Sequence, residues 1–361
     1  MHASELVKNL SARNNKINFY GIGGNNLKKS GVELIFDYNV INYIGFFSII
    51  KNYLSLKNYF NKTIKLIKEL NPDIVILVDF PGFNLKISKS LRKFYKGQIV
   101  YYISPQIWAW HKNRINIIKK TVDKMLVIFP FEVNFYKQEG IDVTYVGHPL
   151  QQKLFYYKDN YPEKKSDKLR VAILPGSRIE EIKHMLPVLV ETAQKLYEQF
   201  NTEINIICSP NINVQLIKTI VSNSNFNLIQ FESNNEEINY TTIYNSDLVI
   251  SKSGTSTLEC CFLETPFCVV YKTSYFNYFI AKLLIKVKFL SIVNILADKQ
   301  VVKEFLQKDF NVDNLLKEAK KLLFDDAYRN KMITNFQDIK KNMFELNTPA
   351  DAGEIINDML K

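Results

Sequence analysis

The sequence is poor in the residues that build metal centres and disulfide frameworks. Among 361 residues there are four histidines and four cysteines, Cys208, Cys260, Cys261 and Cys268. The cysteines form no CxxC pair and share no metal-ligand spacing with the histidines, so neither a zinc site nor a disulfide scaffold is expected. They read as buried thiols of a reducing compartment. Long apolar runs are also missing. No uncharged stretch reaches the roughly 18 residues of a spanning helix. The nearest candidate, 275–297, is interrupted by Lys282, Lys286 and Lys288 and reads as amphipathic. Met1 leads straight into His2-Ala-Ser-Glu-Leu, without the basic and then apolar pattern of a secretory leader. There is no repeat of fixed period and no low-complexity block, and nothing resembles a nucleic-acid-binding module.

What is present fits a globular chain long enough for two domains, with 47% apolar and 23% charged residues. Lysine and arginine exceed the acidic residues by 47 − 36 = 11. That excess suits an anionic substrate or an anionic membrane surface, although the abundance of Lys, Asn, Ile, Phe and Tyr also reflects compositional bias.

Strand-like and helix-like segments alternate through both halves. In the first, strand candidates at 17–22, 73–79, 98–103, 125–128 and 143–146 are interleaved with helical spacing at 5–10, 54–70 and 111–124. In the second, strands at 170–174, 203–208, 227–231, 247–251 and 267–271 alternate with helices at 180–199, 212–221 and 236–244, and a helical tail from 312 is broken at Pro349. The polar segment 151–165 reads as a linker. The expectation is an α/β architecture of two doubly wound, Rossmann-like domains facing a cleft, 1–150 and 166–339, with a C-terminal helix at about 340–361 packing back on the first. Gly21-Ile-Gly-Gly24 falls short of a dinucleotide fingerprint because of Asn26 and reads as a close-packed turn. The run 40–50 is either core or a lipid-facing loop. A helix opens the chain where such a domain ordinarily begins with a strand, so that first strand is expected to be missing, leaving two exposed strand edges.

Three junctions carry chemistry. Arg170-Val-Ala-Ile-Leu-Pro-Gly-Ser-Arg178 is a strand, a tight loop and a helix N-terminus. Gly176, Ser177 and Arg178 there make an anion site from backbone N–H groups, a helix dipole and a guanidinium. Ser253-Gly254-Thr255-Ser256-Thr257 repeats the arrangement, and Glu259 in the next turn can accept hydrogen bonds from vicinal hydroxyls such as those of a ribose. Two anion loops in one domain suggest a diphosphate. Asp79 follows an apolar run read as a buried parallel strand, where open sheets place their ligands; it is a base or a helix cap.

These motifs, with Tyr101-Tyr-Ile-Ser-Pro-Gln-Ile-Trp-Ala-Trp110, Phe129-Pro-Phe-Glu132, Val146-Gly-His-Pro-Leu150 and Asn294-Ile-Leu-Ala297, stand in the order found in lipid-A-disaccharide synthases, which the chain resembles over nearly its whole length. The resemblance implies a GT-B-type inverting glycosyltransferase. Such an enzyme transfers diacylglucosamine from UDP-2,3-diacylglucosamine to 2,3-diacylglucosamine 1-phosphate, giving a β-1′,6-linked disaccharide and UDP at the anionic inner face of the inner membrane. It implies Asp79 as base, His148 as a reserve base or phosphate contact, and Asn294 in the donor site. No cofactor or metal is expected, since Arg178 and the helix N-termini can hold the diphosphate. An oligomer is possible. Trp108 and Trp110 line the acyl or sugar site or belong to the core. Departures from the family pattern are Gln151 and Gln152 where an Asp commonly follows the Gly-His-Pro motif, Val293 for Pro, and Asp298-Lys299-Gln300 for Gly-Arg-Glu. Other UDP-sugar enzymes of the same fold, such as a 2-epimerase, and a truncated lipid-binding remnant are the alternatives.

Overall fold

A computed structural model describes residues 2–37, 53–109, 112–154, 157, 166–210, 212–221, 226–230, 237–275, 278–279, 282, 287–346 and 348–361. The run 40–50, Trp110 and Lys286 lie outside the described residues. The chain divides into two compact units, one of residues 1–149 with 347–361 and one of residues 150–346.

The second unit holds a sheet of six strands: β7 (Arg170–Leu174), β8 (Glu203–Cys208), β9 (Asn227–Gln230), β10 (Leu248–Lys252), β11 (Phe267–Tyr271) and β12 (Glu304–Leu306). Their order is β12-β11-β10-β7-β8-β9, and every adjacent pair is parallel. The chain therefore starts in the middle, winds outward to β9, returns beside β7 and winds out the other way. The reversal between β7 and β10 is a topological switch point, where the loops after both strands diverge and leave a crevice. Val171, Ala172, Ile173, Val249 and Ile250 are fully buried, as apolar runs flanked by strands on both sides should be. The 22-residue helix Ile179–Phe200 buries Ile182, Met185, Leu186, Leu189, Ala193 and Leu196, a stripe at helical spacing, and ends at Asn201 in the left-handed region.

In the first unit the strands form two separate sheets. Among the described residues β1 (Tyr20–Gly23) pairs only with β2 (Glu33–Asp37), whereas β3 (Ile74–Val78), β4 (Gln98–Tyr102), β5 (Lys124–Val127) and β6 (Val143–Tyr145) run parallel in that order. β2 and β12 carried no clear signal in the sequence. The expectation of a buried strand before Asp79 is corrected: only Leu77 of β3 is buried, and one side of β3 has no ladder partner among the described residues. The turn at Gly21–Gly24 is close-packed, since a Cβ on Gly23 would meet Leu27 Cδ2 at 2.6 Å. The core gathers Leu85, Leu91, Ile99, Tyr101, Ile118, Met125, Val127 and Tyr136. The unit is completed from the far end of the chain. Ala350 N donates to Tyr145 O (2.9 Å), Arg13 pairs with Asp351 (2.6 Å), and Gly353 sits so close to Asn9 that any Cβ would collide.

The linker expectation is also adjusted at its start. Leu150–Leu154 is a helix of the second unit with Leu150 and Leu154 buried, and Gln151, instead of an acid, donates to Met343 O at 3.0 Å. Asp298, in place of the usual glycine, adopts a left-handed φ of 47° at the end of the helix Ile292–Ala297, a conformation Asp tolerates better than most residues.

Candidate active site

β3 ends in an abrupt corner. Asp79 and Phe80 both have left-handed backbones, φ 46° and 44°, and Pro81 then begins the helix Pro81–Leu91 with its φ already suited to N1. Each such non-glycine residue costs on the order of 1–3 kcal/mol, so the corner persists only if its surroundings fix it. They do. Asp79 N donates to Tyr102 O at 3.1 Å, extending the ladder by one rung. Asp79 O accepts from Asn84 Nδ2 (2.7 Å) and from the buried Tyr101 hydroxyl (2.6 Å). With its carbonyl held underneath, the Asp79 carboxyl stands out at the carboxyl end of the sheet. Desolvation raises its pKa above the ordinary value, against a hydrogen bond from the Phe80 backbone. The residue is exposed as a whole, so solvent screens that shift.

The loop after β4 is held from within. Ile103 takes a positive φ of 64°, Ser104 Oγ hydrogen-bonds the Tyr136 hydroxyl at 2.7 Å, and Trp108 Nε1 donates to Glu132 Oε1 at 3.1 Å. The other oxygen of Glu132 accepts from Ile128 N and Phe129 N, capping the helix Pro130–Gln138. Burial pushes the Glu132 carboxyl up to about 7 despite these donors. Trp108 also meets Phe131 edge to face, so it belongs to this loop's internal packing.

His148 is 5% exposed, packed against Phe129 and His2, and desolvation lowers its pKa to about 3. That environment disfavours the reserve role given to it. A buried, neutral imidazole offers a phosphate no positive charge and is too weak a base near neutrality.

In the second unit the switch point brings the two anion loops together. Ser251 is the partner of Leu174, so the residues after them, Lys252–Thr255 and Pro175–Arg178, leave the sheet side by side. Gly176 has φ 112°, open to glycine and strained for other residues. Ser177 and Arg178 are exposed, and Arg178 Nη1 donates to Glu181 Oε1 at 2.9 Å. The helix that follows is long enough for a full dipole, whereas Ser256–Phe262 has seven residues and a weaker one. Gly254 and Thr255 are exposed, and Ser253 Oγ donates to Leu290 O at 3.3 Å. Glu259 Oε2 accepts from Asn239 Nδ2 at 3.1 Å.

Three residues expected in the donor site turn inward. Asn294 is fully buried; its amide donates to Val302 O and Glu304 Oε1, and its oxygen accepts from Val301 N and Val302 N. All of its polar capacity is consumed in folding the segment between the helix Ile292–Ala297 and β12. Thr257 is likewise buried, with its hydroxyl on Gly254 O at 2.7 Å, and Ser256 Oγ bonds Ser251 Oγ at 2.8 Å. The hydrogen bonds of these side chains shape the loops themselves. Sequence reasoning missed Asn84, Tyr101, Glu181 and Lys252. The signals for the last two were a carboxylate three residues beyond Arg178 and a lysine closing an apolar strand.

The family model for lipid-A-disaccharide synthetase matches residues 1–352, across both units and all the loops described above. The chain belongs to the lipid-A-disaccharide synthase family. Lipid-A-disaccharide synthase 1 of Legionella pneumophila strain Philadelphia 1 is 38% identical over 349 residues, covering 95% of this chain and 90% of the relative. The synthase of Myxococcus xanthus is 32% identical over 366 residues, covering 99% and 94%. Among solved structures, UDP-GlcNAc 2-epimerase from Neisseria meningitidis bound to UDP-GlcNAc superposes with a TM-score of 0.64 at 14% identity, covering 99% of this chain and 95% of that one. At that identity the likeness concerns the fold, which is the two-domain GT-B type. Synthase membership, carried by sequence, decides against the epimerase alternative.

Proposed function

We propose that this chain is a UDP-sugar-dependent hexosyltransferase that joins diacylglucosamine from UDP-2,3-diacylglucosamine to 2,3-diacylglucosamine 1-phosphate. The observation that carries this reading is the synthase match from residue 1 to 352, which includes both the Asp79 corner and the paired anion loops. The acceptor hydroxyl attacks the anomeric carbon of the donor and gives its proton to the Asp79 carboxylate. The bond from that carbon to the diphosphate oxygen breaks, and UDP leaves with the electron pair, inverting the configuration. Arg178 and the N–H groups opening the helix Ile179–Phe200 meet the charge that develops on the diphosphate. Because protein cations can meet that charge, the reaction is expected to run without an added metal or cofactor. Glu259 accepts hydrogen bonds from the ribose.

Diacylated substrates reside in a membrane. No helix among the described residues is long and apolar enough to cross one. We infer peripheral docking on the anionic inner surface, from the cytoplasmic side, through the exposed Tyr275 and Phe279 beside the exposed Lys282 and Lys288. Charge reversal of Lys282 and Lys288 is expected to weaken sedimentation with anionic vesicles; unchanged binding would remove this surface from the proposal.

The test of the activity is to mix the full chain in mild detergent with both lipid substrates and no added metal, reading the product by mass spectrometry. Disaccharide 1-phosphate that disappears with Asp79→Ala supports the reading. Absence of product from the folded wild-type chain, with or without a divalent cation, would overturn it.

A further inference from the structure

The switch point of the second unit contains an ion cluster richer than an anion loop needs. Lys252 closes β10 next to the loop after β7, and its Nζ lies 3.2 Å from Glu181 Oε1, the same oxygen that Arg178 Nη1 contacts at 2.9 Å. Two cations on one carboxylate leave a net charge of +1 + 1 − 1 = +1. The other oxygen, Glu181 Oε2, is buried and makes no hydrogen bond, in a residue 8% exposed. It points into the Gly176 turn, 3.2 Å from where a Cβ on that glycine would stand. Lys252 is itself covered, with a side chain 16% exposed and its Nζ 5.7 Å from the centre of the Tyr271 ring.

A structural ion pair is ordinarily neutral and satisfied; this one is neither. A half-desolvated ammonium in a cluster of net positive charge gains when an anion arrives. A nucleotide diphosphate is such an anion.

We propose that Lys252 is a diphosphate-binding residue of the donor site and that Glu181 is its positioning residue, holding Lys252 and Arg178 together beneath the Gly176 turn. This rests on the reading of the second unit as the donor site. Burial lowers the Lys252 pKa while the Glu181 carboxylate opposes the shift. Glu181 contacts no substrate phosphate; it acts through the two cations.

The experiment is calorimetric titration of the full chain with UDP and, separately, with uridine. Lys252→Met is expected to weaken UDP by about tenfold or more, the loss of one charge-assisted contact, while uridine affinity stays unchanged. Lys252→Arg should recover most of the UDP affinity, and Lys195→Met, which removes a surface cation of the same unit, should have no effect. Glu181→Gln should weaken UDP in the wild-type background and cost clearly less in the Lys252→Met background, where only its hold on Arg178 is left to lose, a coupling that a merely structural role would not produce. Acetylation of the wild-type chain followed by mass spectrometry removes any dependence on the folding of variants. UDP should protect Lys252 and leave Lys195 reactive. If UDP fails to bind the wild-type chain, the donor-site reading itself falls. If UDP binds but neither protects Lys252 nor loses affinity in Lys252→Met, the donor site stands and this inference is overturned.

Discussion

The corner after β3 and the loop after β7 both lie at the carboxyl ends of parallel strands, yet they are held in opposite ways. Asp79 is fixed through its backbone by neutral hydrogen bonds of 2.6 and 2.7 Å, one of them from a fully buried tyrosine. Arg178 is steered through its side chain by a carboxylate, and that side chain is 70% exposed. The difference matches the two tasks proposed for them, base and diphosphate contact. A base must keep its place to within a fraction of an ångström, because a small misplacement costs rate. A diphosphate-binding cation gains from being able to follow a ligand. Strain and burial suit the first task; charge and exposure suit the second.

The sharpest way to break the comparison is to remove the base and leave its corner intact. Asp79→Asn is expected to lower kcat by on the order of 10²–10⁴ while UDP affinity in the other unit stays within about twofold, as measured by product formation and calorimetry. Next in size is the pH dependence of the first unit. The Glu132 carboxyl is raised to about 7 in the fold from 4.5, so between these values the folded chain holds a proton that the unfolded chain has lost. Stability should therefore fall as pH rises from 4.5 to 7, by roughly 3 kcal/mol, and stay level on either side. Both tryptophans, Trp108 and Trp110, belong to the first unit, so denaturant melts followed by tryptophan fluorescence report it alone. Wild type minus Glu132→Gln should show that slope. Smaller again is Tyr101→Phe, which removes one of the two bonds on the Asp79 carbonyl. A loss of about 1 kcal/mol in the same melt is expected, with kcat falling severalfold and the donor KM unchanged. The smallest effect is the response to salt. Going from about 0.05 to 0.5 M should weaken UDP severalfold through the exposed Arg178 and leave the Tyr101→Phe difference unaltered.

The sequence was most informative where local rules decide. Apolar runs ending in Pro-Gly or Ser-Gly located β7 and β10, and the stripe Ile182–Leu196 marked its helix. It was least informative where a residue's role depends on partners distant in the chain. Asn294 sits in a family motif and looks like a ligand contact until the N–H groups of Val301 and Val302 are seen to occupy it. His148 could have been base, phosphate contact or packing residue, and nothing local shows its contacts with Phe129 and His2. Tyr101 read only as part of a strand, because nothing local shows its hydroxyl reaching 22 residues back to Asp79. The apolar run 74–78 read as a buried strand; that the missing first strand would leave exposed edges was legible, but that β3 is one of them is seen only in the pairing of the described strands.

The closure of the first unit by Ala350, Asp351 and Gly353 has a consequence for biogenesis. On the ribosome, the first unit cannot complete itself before the second has been translated. The second unit, continuous from Leu150 to Leu346, has all its residues while the segment from 347 onward is still being made. The partners of Asn9, Arg13 and Tyr145 arrive only with that last segment. Residues that carry Asp79 thus wait, nascent and unclosed, through the translation of about two hundred others, a long interval in which a chaperone that shields apolar surface has something to hold.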